Sequence, residues 1–275
     1  TSAGEGMRLY DRLRGVRTGG SFNTPQLIIN GNDQEDTLSN GTFGVDNTGF
    51  LVAGNYNNVA SVFWNWKRAP NYFDIVAYSG NSTAGRTVSH SLGVAPEMIW
   101  VKKRSSGTNS NWAVFHSATG NGKFLYLNTT GAVSTATEYW NDTDATSSVF
   151  TLGTNQNVNH TGNTHIAYLF ATLAGISKVG SYTGNGSSQT INCGFSSGSA
   201  YVLIRRTDSS GSWHVFDSAR GIVAGNEQAL LYNDSSKVND TDSIDPDNSG
   251  FIINENATTN LNVSSADYIF YAIAA

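Results

Sequence analysis

An all-β fold, built as tandem antiparallel β-sandwich or jelly-roll domains behind a leading half repeat, is predicted by three observations. The first is a phrase written three times: MRLYDRLRG at 7–15, WAVFHSATG at 112–120 and WHVFDSARG at 213–221. The second is period-two alternation over short runs rich in β-branched and aromatic residues, with no run that holds a helical period for three turns. The third is punctuation by Gly, Asn, Ser and Asp clusters, which supply the positive φ and Asx turns that hairpins need.

Taken in order, the first copy offers strands at 7–11, 26–30, 48–53 and 60–67. The second offers 73–78, 86–91, 97–104, 112–116, 123–128, 148–153 and 164–171. The third repeats that series at 178–182, 188–193, 200–206, 213–217, 228–233, 249–254 and 266–273. Laying the second phrase on the third brings the flanks into register. Tyr78-Ser79-Gly80-Asn81 meets Tyr182-Thr183-Gly184-Asn185, Val101-Lys102-Lys103 meets Ile204-Arg205-Arg206, LYLN at 125–128 meets LLYN at 230–233, and Phe150 meets Phe251. YLFATLA at 168–174 is matched with YIFYAIA at 268–274. Both are apolar at nearly every position, as expected of strands covered on two faces.

The period is roughly a hundred residues, a tandem-domain spacing too long for a solenoid or a propeller blade. The organisation reads as a half repeat at 1–70 and sandwich repeats at 71–174 and 175–275. Half a sandwich leaves an apolar sheet face bare. Three arrangements resolve this: the missing strands lie upstream, another chain supplies them, or the units run 7–104 and 112–207 with 213–275 as the orphan. Each invites oligomerisation or strand exchange.

Composition narrows the function classes. The 275 residues can bury a sizeable core, and the single cysteine, Cys193, allows no intrachain disulfide. Charged residues are 13% of the chain and the net charge is −5 without a basic run, which argues against nucleic acid as a partner. The longest apolar stretch, Ile166 to Ile176, is broken by Thr172 and Gly175 and is too short to span a bilayer, so no membrane partner is expected. The opening TSAGEGM has neither an initiator Met nor a signal-peptide pattern, so a processed or trimmed chain is expected.

Within the repeated phrase, Trp112 shares a strand face with Val114, and Trp213 with Val215. Asp11 and Arg14, and again Asp217 and Arg220, have the spacing of a turn closing on Gly, where a carboxylate caps amides and accepts from the guanidinium. The second copy loses both partners together, as His116 and Thr119. A structural turn brace, repeated because the fold repeats, accounts for this pattern. A catalytic role would need the Asp in every working copy.

Two segments resemble binding sites. In NDTDSIDPDNSG at 239–250, Asp240, Asp242, Asp245 and Asp247 have spacing that allows a weak calcium site, although Asn256 stands where a calcium loop has its bidentate Glu. The alternative is an acidic solvated loop, and no other cofactor is expected. In TEYWNDTD at 137–144, Tyr139 and Trp140 lie beside Asn141 and Asp142 in a stretch longer than its counterpart in the third copy. An exposed ring next to an amide and a carboxylate suits a sugar, against the alternative of a Trp folded back onto its own domain. His160 and His165 are expected to be exposed, and none of the five histidines has metal-ligand spacing. No nucleophile elbow or other catalytic set is present, so no enzyme is expected.

The succession YxGN, VKK or IRR, WxxFxSxxG, LYLN, GF and YxFxxxA resembles repeated domains in structural proteins of tailed bacteriophages, especially marine and cyanobacterial ones. YDRLRGVRTGGSFNTPQL followed by WKRAPNYFDIVAYSGN is similar to phage tail-fibre sequence, and the likeness runs from Met7 to Ala274. The resemblance implies a concanavalin-like sandwich in a virion or extracellular appendage, with binding or scaffolding as the activity and no catalytic residues to carry over. The expected partners are further copies of the chain, other virion proteins and host-surface glycan. Two other readings stand beside it: a self-assembling extracellular filament or sheath protein using strand exchange, and a secreted carbohydrate-binding module.

Overall fold

Alternating β-branched and aromatic residues pair into strands wherever a turn lets the chain reverse. The computed structural model describes residues 6–15, 24–38, 43–45, 49–52, 61–105 and 110–275. The leading segment holds β1 (Arg8–Leu9), β2 (Thr24–Ile28), β3 (Asp36–Leu38), β4 (Phe43–Val45) and β5 (Phe50–Val52). The second copy holds β6 (Phe73–Ser79), β7 (Arg86–Ser89), β8 (Met98–Lys103), β9 (Ala113–His116), β10 (Lys123–Tyr126), β11 (Ser134–Thr135) and β12 (Val149–Leu152), then a short helix α1 (Gln156–Asn159) and β13 (Thr164–Phe170). The third holds β14 (Ser177–Thr183), β15 (Gln189–Asn192), β16 (Ser199–Arg206), β17 (His214–Asp217), β18 (Glu227–Leu231), β19 (Lys237–Thr241), β20 (Ile244–Asp247), β21 (Gly250–Ile253) and β22 (Asp267–Ala274). The molecule is all-β with antiparallel sheets, consistent with a β-sandwich fold.

The two full copies have the same topology. Their six-stranded sheets run β11-β10-β9-β8-β13-β6 and β19-β18-β17-β16-β22-β14, so each copy's last strand lies between its first and third. Opposite these lie β12-β7 in the second copy and β15-β21-β20 in the third. The leading segment supplies β1-β2-β3 and β4-β5, the counterparts of β9 to β11 and of β20 and β21.

Three details differ from the sequence expectations. Residues 61–67, matched to the closing strands, form no strand. Their flanking β6-type and β8-type neighbours have no counterpart among the described residues of the leading segment; residue 60 lies outside them. The acidic stretch 239–250 is not a loop: it contributes to β19, β20 and the start of β21. Finally, His165 pairs with Tyr78 and Lys103, while Tyr268 pairs with Tyr182 and Arg206. His165 therefore matches Tyr268 and Tyr168 matches Tyr271, a slip of three residues from the alignment read by aromatic content.

Side-chain alternation sends each six-stranded sheet's faces into different cores. One core is shared and takes Leu27 and Ile29 from the leading segment, Trp112, Val114 and Tyr168 from the second copy, and Trp213, Val215 and Tyr271 from the third. The opposite faces build a private core in each full copy, around Phe115 and Phe150 in one and Phe216 and Phe251 in the other. Strands β13 and β22 are buried on both faces for this reason.

The tryptophans tie the copies together. Trp112 Nε1 donates to the Ile28 carbonyl at 2.9 Å, and Trp213 Nε1 donates to the Tyr126 carbonyl at 2.8 Å, the matched residue one copy later. Within each copy, Asn128 and Asn233 hold the matched Trp backbone amides at 3.0 and 2.7 Å. Trp213→Phe should therefore cost about 1–3 kcal/mol, from a lost buried hydrogen bond plus a small cavity. Urea unfolding measures this, and a loss below a few tenths would show that the inter-copy bond contributes nothing net.

Candidate functional site

The repeated turn can be followed copy by copy. In the first, Arg14 Nε donates to Asp11 Oδ2, the Arg14 amide donates to Asp11 Oδ1 at 3.0 Å, and Arg14 Nη2 reaches the Leu9 carbonyl at 2.9 Å. In the third, Arg220 Nε and the Arg220 amide meet Asp217 at 2.9 and 3.0 Å, and Nη2 reaches the Val215 carbonyl at 3.2 Å. In the second, His116 Nδ1 accepts from the Ala118 amide at 3.2 Å and the Thr119 hydroxyl donates to the His116 carbonyl at 2.8 Å. The imidazole thus takes over the amide cap, without the cation.

Each brace also receives a donor from another copy. Tyr168 donates its hydroxyl to Asp11 Oδ2 at 2.7 Å, and Trp64 donates its indole N–H to Asp217 Oδ2 at 3.2 Å. Trp64 matches Tyr168, because Ala69 bridges Phe73 as Leu173 bridges Ser177. The second copy thus grips the first, and the leading segment grips the third. With Trp213 gripping the second copy from the third, the three close a ring. Matched loops reinforce it: Ser110 donates to the Asn32 carbonyl at 2.8 Å as Gly211 does to Thr130 at 3.0 Å. Behind the tryptophans lie two fully buried cations, Lys102 and Arg205, each 5.7 Å from an indole ring. Burial pushes Lys102 down to about 7.

The expected sugar platform is not at the surface. Tyr139 and Trp140 are 3% and 2% exposed and belong to the second copy's private core. The small sheet there has two strands where the third copy has three, and this segment fills the place that β20 and Ile244 take in that copy. Tyr139 stacks on Phe124 at 3.9 Å, while Asn141 and Asp142 turn the chain in left-handed conformations.

The calcium-like spacing is also straightened out. β20 and β21 form a hairpin in which Asp247 opposes Gly250, so Asp245 and Asp247 lie two residues apart along an extended strand rather than in a calcium-type loop. Asn254 Nδ2 bridges Asp242 and Asp245 at 3.0 and 2.9 Å, and Asp247 accepts from the Ser249 amide at 2.8 Å. The Asp240 side chain lies outside the described residues. Among those residues no group of three or more His, Cys, Asp or Glu side chains is placed to hold a metal ion.

His165 is fully buried rather than exposed, stacked on Tyr78 at 5.2 Å with neither ring nitrogen hydrogen-bonded; His160 is partly exposed. Two buried residues that the sequence reading missed explain the YxGN motif. Asn159 and Asn262 accept from the Asn81 and Asn185 amides at 2.9 and 3.0 Å, and Tyr78 and Tyr182 donate to the Val158 and Leu261 carbonyls. A Cβ on Gly80 or Gly184 would meet a carbonyl oxygen at 2.1 or 2.2 Å. The match of QNVN at 156–159 with TNLN at 259–262 was the available signal. A cleft of about 560 Å³ lies at the joint between the full copies, lined by His116 to Ala118, Lys178 to Tyr182, Thr190 to Asn192 and Phe270.

Fold and junctions together define a multi-copy all-β protein whose repeated polar residues hold copy to copy. Residues 2–275, leading segment included, match the family described as Domain of unknown function (DUF7483), and the chain belongs to that family. None of the curated proteins and none of the solved structures compared with it matches.

Two measurements test the site chemistry. Asp217→Ala leaves Arg220 and Trp64 without their acceptor and should destabilise by about 3 kcal/mol; an Arg220→Met background should recover most of that loss in a double-mutant cycle. Burial pushes His116, His165 and His214 each down to about 4. Unfolded imidazoles protonate near ~6.5, so below that pH the unfolded state holds more protons and stability falls until about pH 4. Those three imidazoles should lower the melting temperature through that window. His165→Phe should raise it more at pH ~5 than at pH ~7.5, and an equal shift at both would refute the assignment.

Proposed function

We propose that the chain is a non-enzymatic structural building block of a virion, of tail-fibre or surface-decoration type, that contacts host-surface glycan. The observation that carries this reading is the use of its polar groups. The Asp–Arg pairs, the N–H groups of Trp64, Trp112 and Trp213, and the buried asparagines all hold strands or copies in place. Such an interlocked body suits a load-bearing particle component, and the sequence resemblance to tail-fibre repeats points the same way. With Tyr139 and Trp140 inside a core, glycan contact falls to the cleft, where Ser117, Lys178, Ser181, Thr190 and Asn192 offer hydroxyl, ammonium and amide groups suited to sugar hydroxyls.

One observation favours a second reading, a self-assembling filament or sheath. Phe50 and Phe63 are 41% and 38% exposed, although the matched Phe150, Phe251 and Phe270 are at most 4% exposed. They are the leading segment's share of a private core, and a neighbouring subunit can cover them. Solution mass and electron microscopy of one purified sample decide between the readings. Discrete closed particles are expected. Open-ended filaments that Phe63→Ser dissolves would transfer the assignment to the second reading.

A further inference from the structure

We propose that the joint between the second and third copies is an acid-triggered opening point of the ring, because it alone of the three joints lacks the Asp–Arg brace. Register makes Tyr271 the counterpart of Tyr168 and of Trp64. Those two residues donate to Asp11 and Asp217, so the position facing Tyr271 in the ring is that of His116. The Tyr271 hydroxyl is instead buried against Tyr72 and Trp66 of the leading segment's junction, leaving His116 without a donor from that position. His116 Nε2 is buried toward the Phe270 carbonyl of the third copy, its Nδ1 being committed to the Ala118 amide. Thr119 bonds the His116 carbonyl and, unlike Arg14 and Arg220, spans no distance back along the strand. The cleft opens along this same turn.

This joint buries an imidazole where the other two bury a carboxylate–guanidinium pair. Protonation of His116 adds a cation to a site 1% exposed. The groups around it do not neutralise that charge. Before β8, the Glu97 carboxylate accepts from the Thr172 amide at 2.5 Å. From β14, Lys178 lines the cleft with a charge of the same sign. From β8, Met98 lies opposite His116 in register, and from β22 comes the Phe270 carbonyl. Burial dominates and pushes the imidazole down to about 4, against a smaller upward pull from the Phe270 carbonyl. Opening the joint lets the ring take its proton near ~6.5, so falling pH favours the open form.

Hydrogen exchange on the full chain, corrected for intrinsic rates, tests this at about pH 7.5 and about pH 5. Protection across β9 and β22 should fall by up to about 30-fold at the lower pH, the ratio that a pKa moving from ~6.5 to ~4 allows. His116→Asn keeps an acceptor for the Ala118 amide and cannot be protonated, so it should abolish that fall while leaving the responses around His165 and His214. If His116→Asn does not fold, the double variant His116→Asp/Thr119→Arg, which writes the brace of the other two copies into this joint, serves the same comparison. An acid response at β9 and β22 that persists in the variant tested, or that is absent from the wild type, overturns the proposal. Neither result bears on whether the protein belongs to a virion.

Discussion

The hydrogen bonds from the Trp112 and Trp213 indoles to carbonyls of the preceding copy are the contacts on which the rest of this molecule depends. A buried indole N–H is stabilised by an acceptor, and Trp112 and Trp213 each take theirs from another copy. The acceptors are backbone carbonyls on β2 and β10, each flanked by strands on both sides, which fixes where that neighbour sits. Once it is placed, Tyr168 and Trp64 come within reach of the turn braces, and the inner sheet faces meet as a shared core. The repeat is therefore not a string of independent domains. Each unit completes its polar satisfaction only in the presence of the next.

The same logic explains a composition that is poor in charge yet places several charges inside. Lys102 and Arg205 are fully buried, with Lys102 Nζ donating to the Ser110 carbonyl and Arg205 Nη2 to the Gly131 carbonyl of the neighbouring copy. A cation held by carbonyls under an indole face has one favourable geometry, so it fixes orientation more than it adds stability. The Asp–Arg turns do likewise, and the aromatic donor from another copy leaves each carboxylate little freedom. At His116 the geometry of the turn survives while this electrostatic definition is lost.

Much of this was legible in the sequence because period-two patterning is a local property. Strands of the two full copies fall close to where alternation and turn residues put them, and the repeat located the turn braces. What the sequence hid was tertiary. Tyr139 and Trp140 read as a surface platform because an insertion with polar neighbours resembles a binding loop, and only the two-stranded small sheet shows a core in need of filling. The acidic stretch read as a loop because Asp and Pro depress strand propensity, whereas Ile244 and the pairing with β21 override it. The slip of three residues between β13 and β22 arose because both strands are apolar throughout, which leaves composition without a register mark.

The strand order has a consequence for how the chain comes into being. In each full copy the last-made strand belongs between the first and the third, with β13 pairing β6 and β8, and β22 pairing β14 and β16. During synthesis the earlier strands therefore wait as two separated sheet edges until the closing strand emerges, about sixty residues of chain later. Exposed edges of that kind capture foreign strands as readily as the correct one. The body is thus assembled like an arch, with a keystone for each bay that arrives last and is flanked on both sides. The time between the appearance of β8 and β13, or of β16 and β22, is the interval in which a crowded cell has most opportunity to misjoin it.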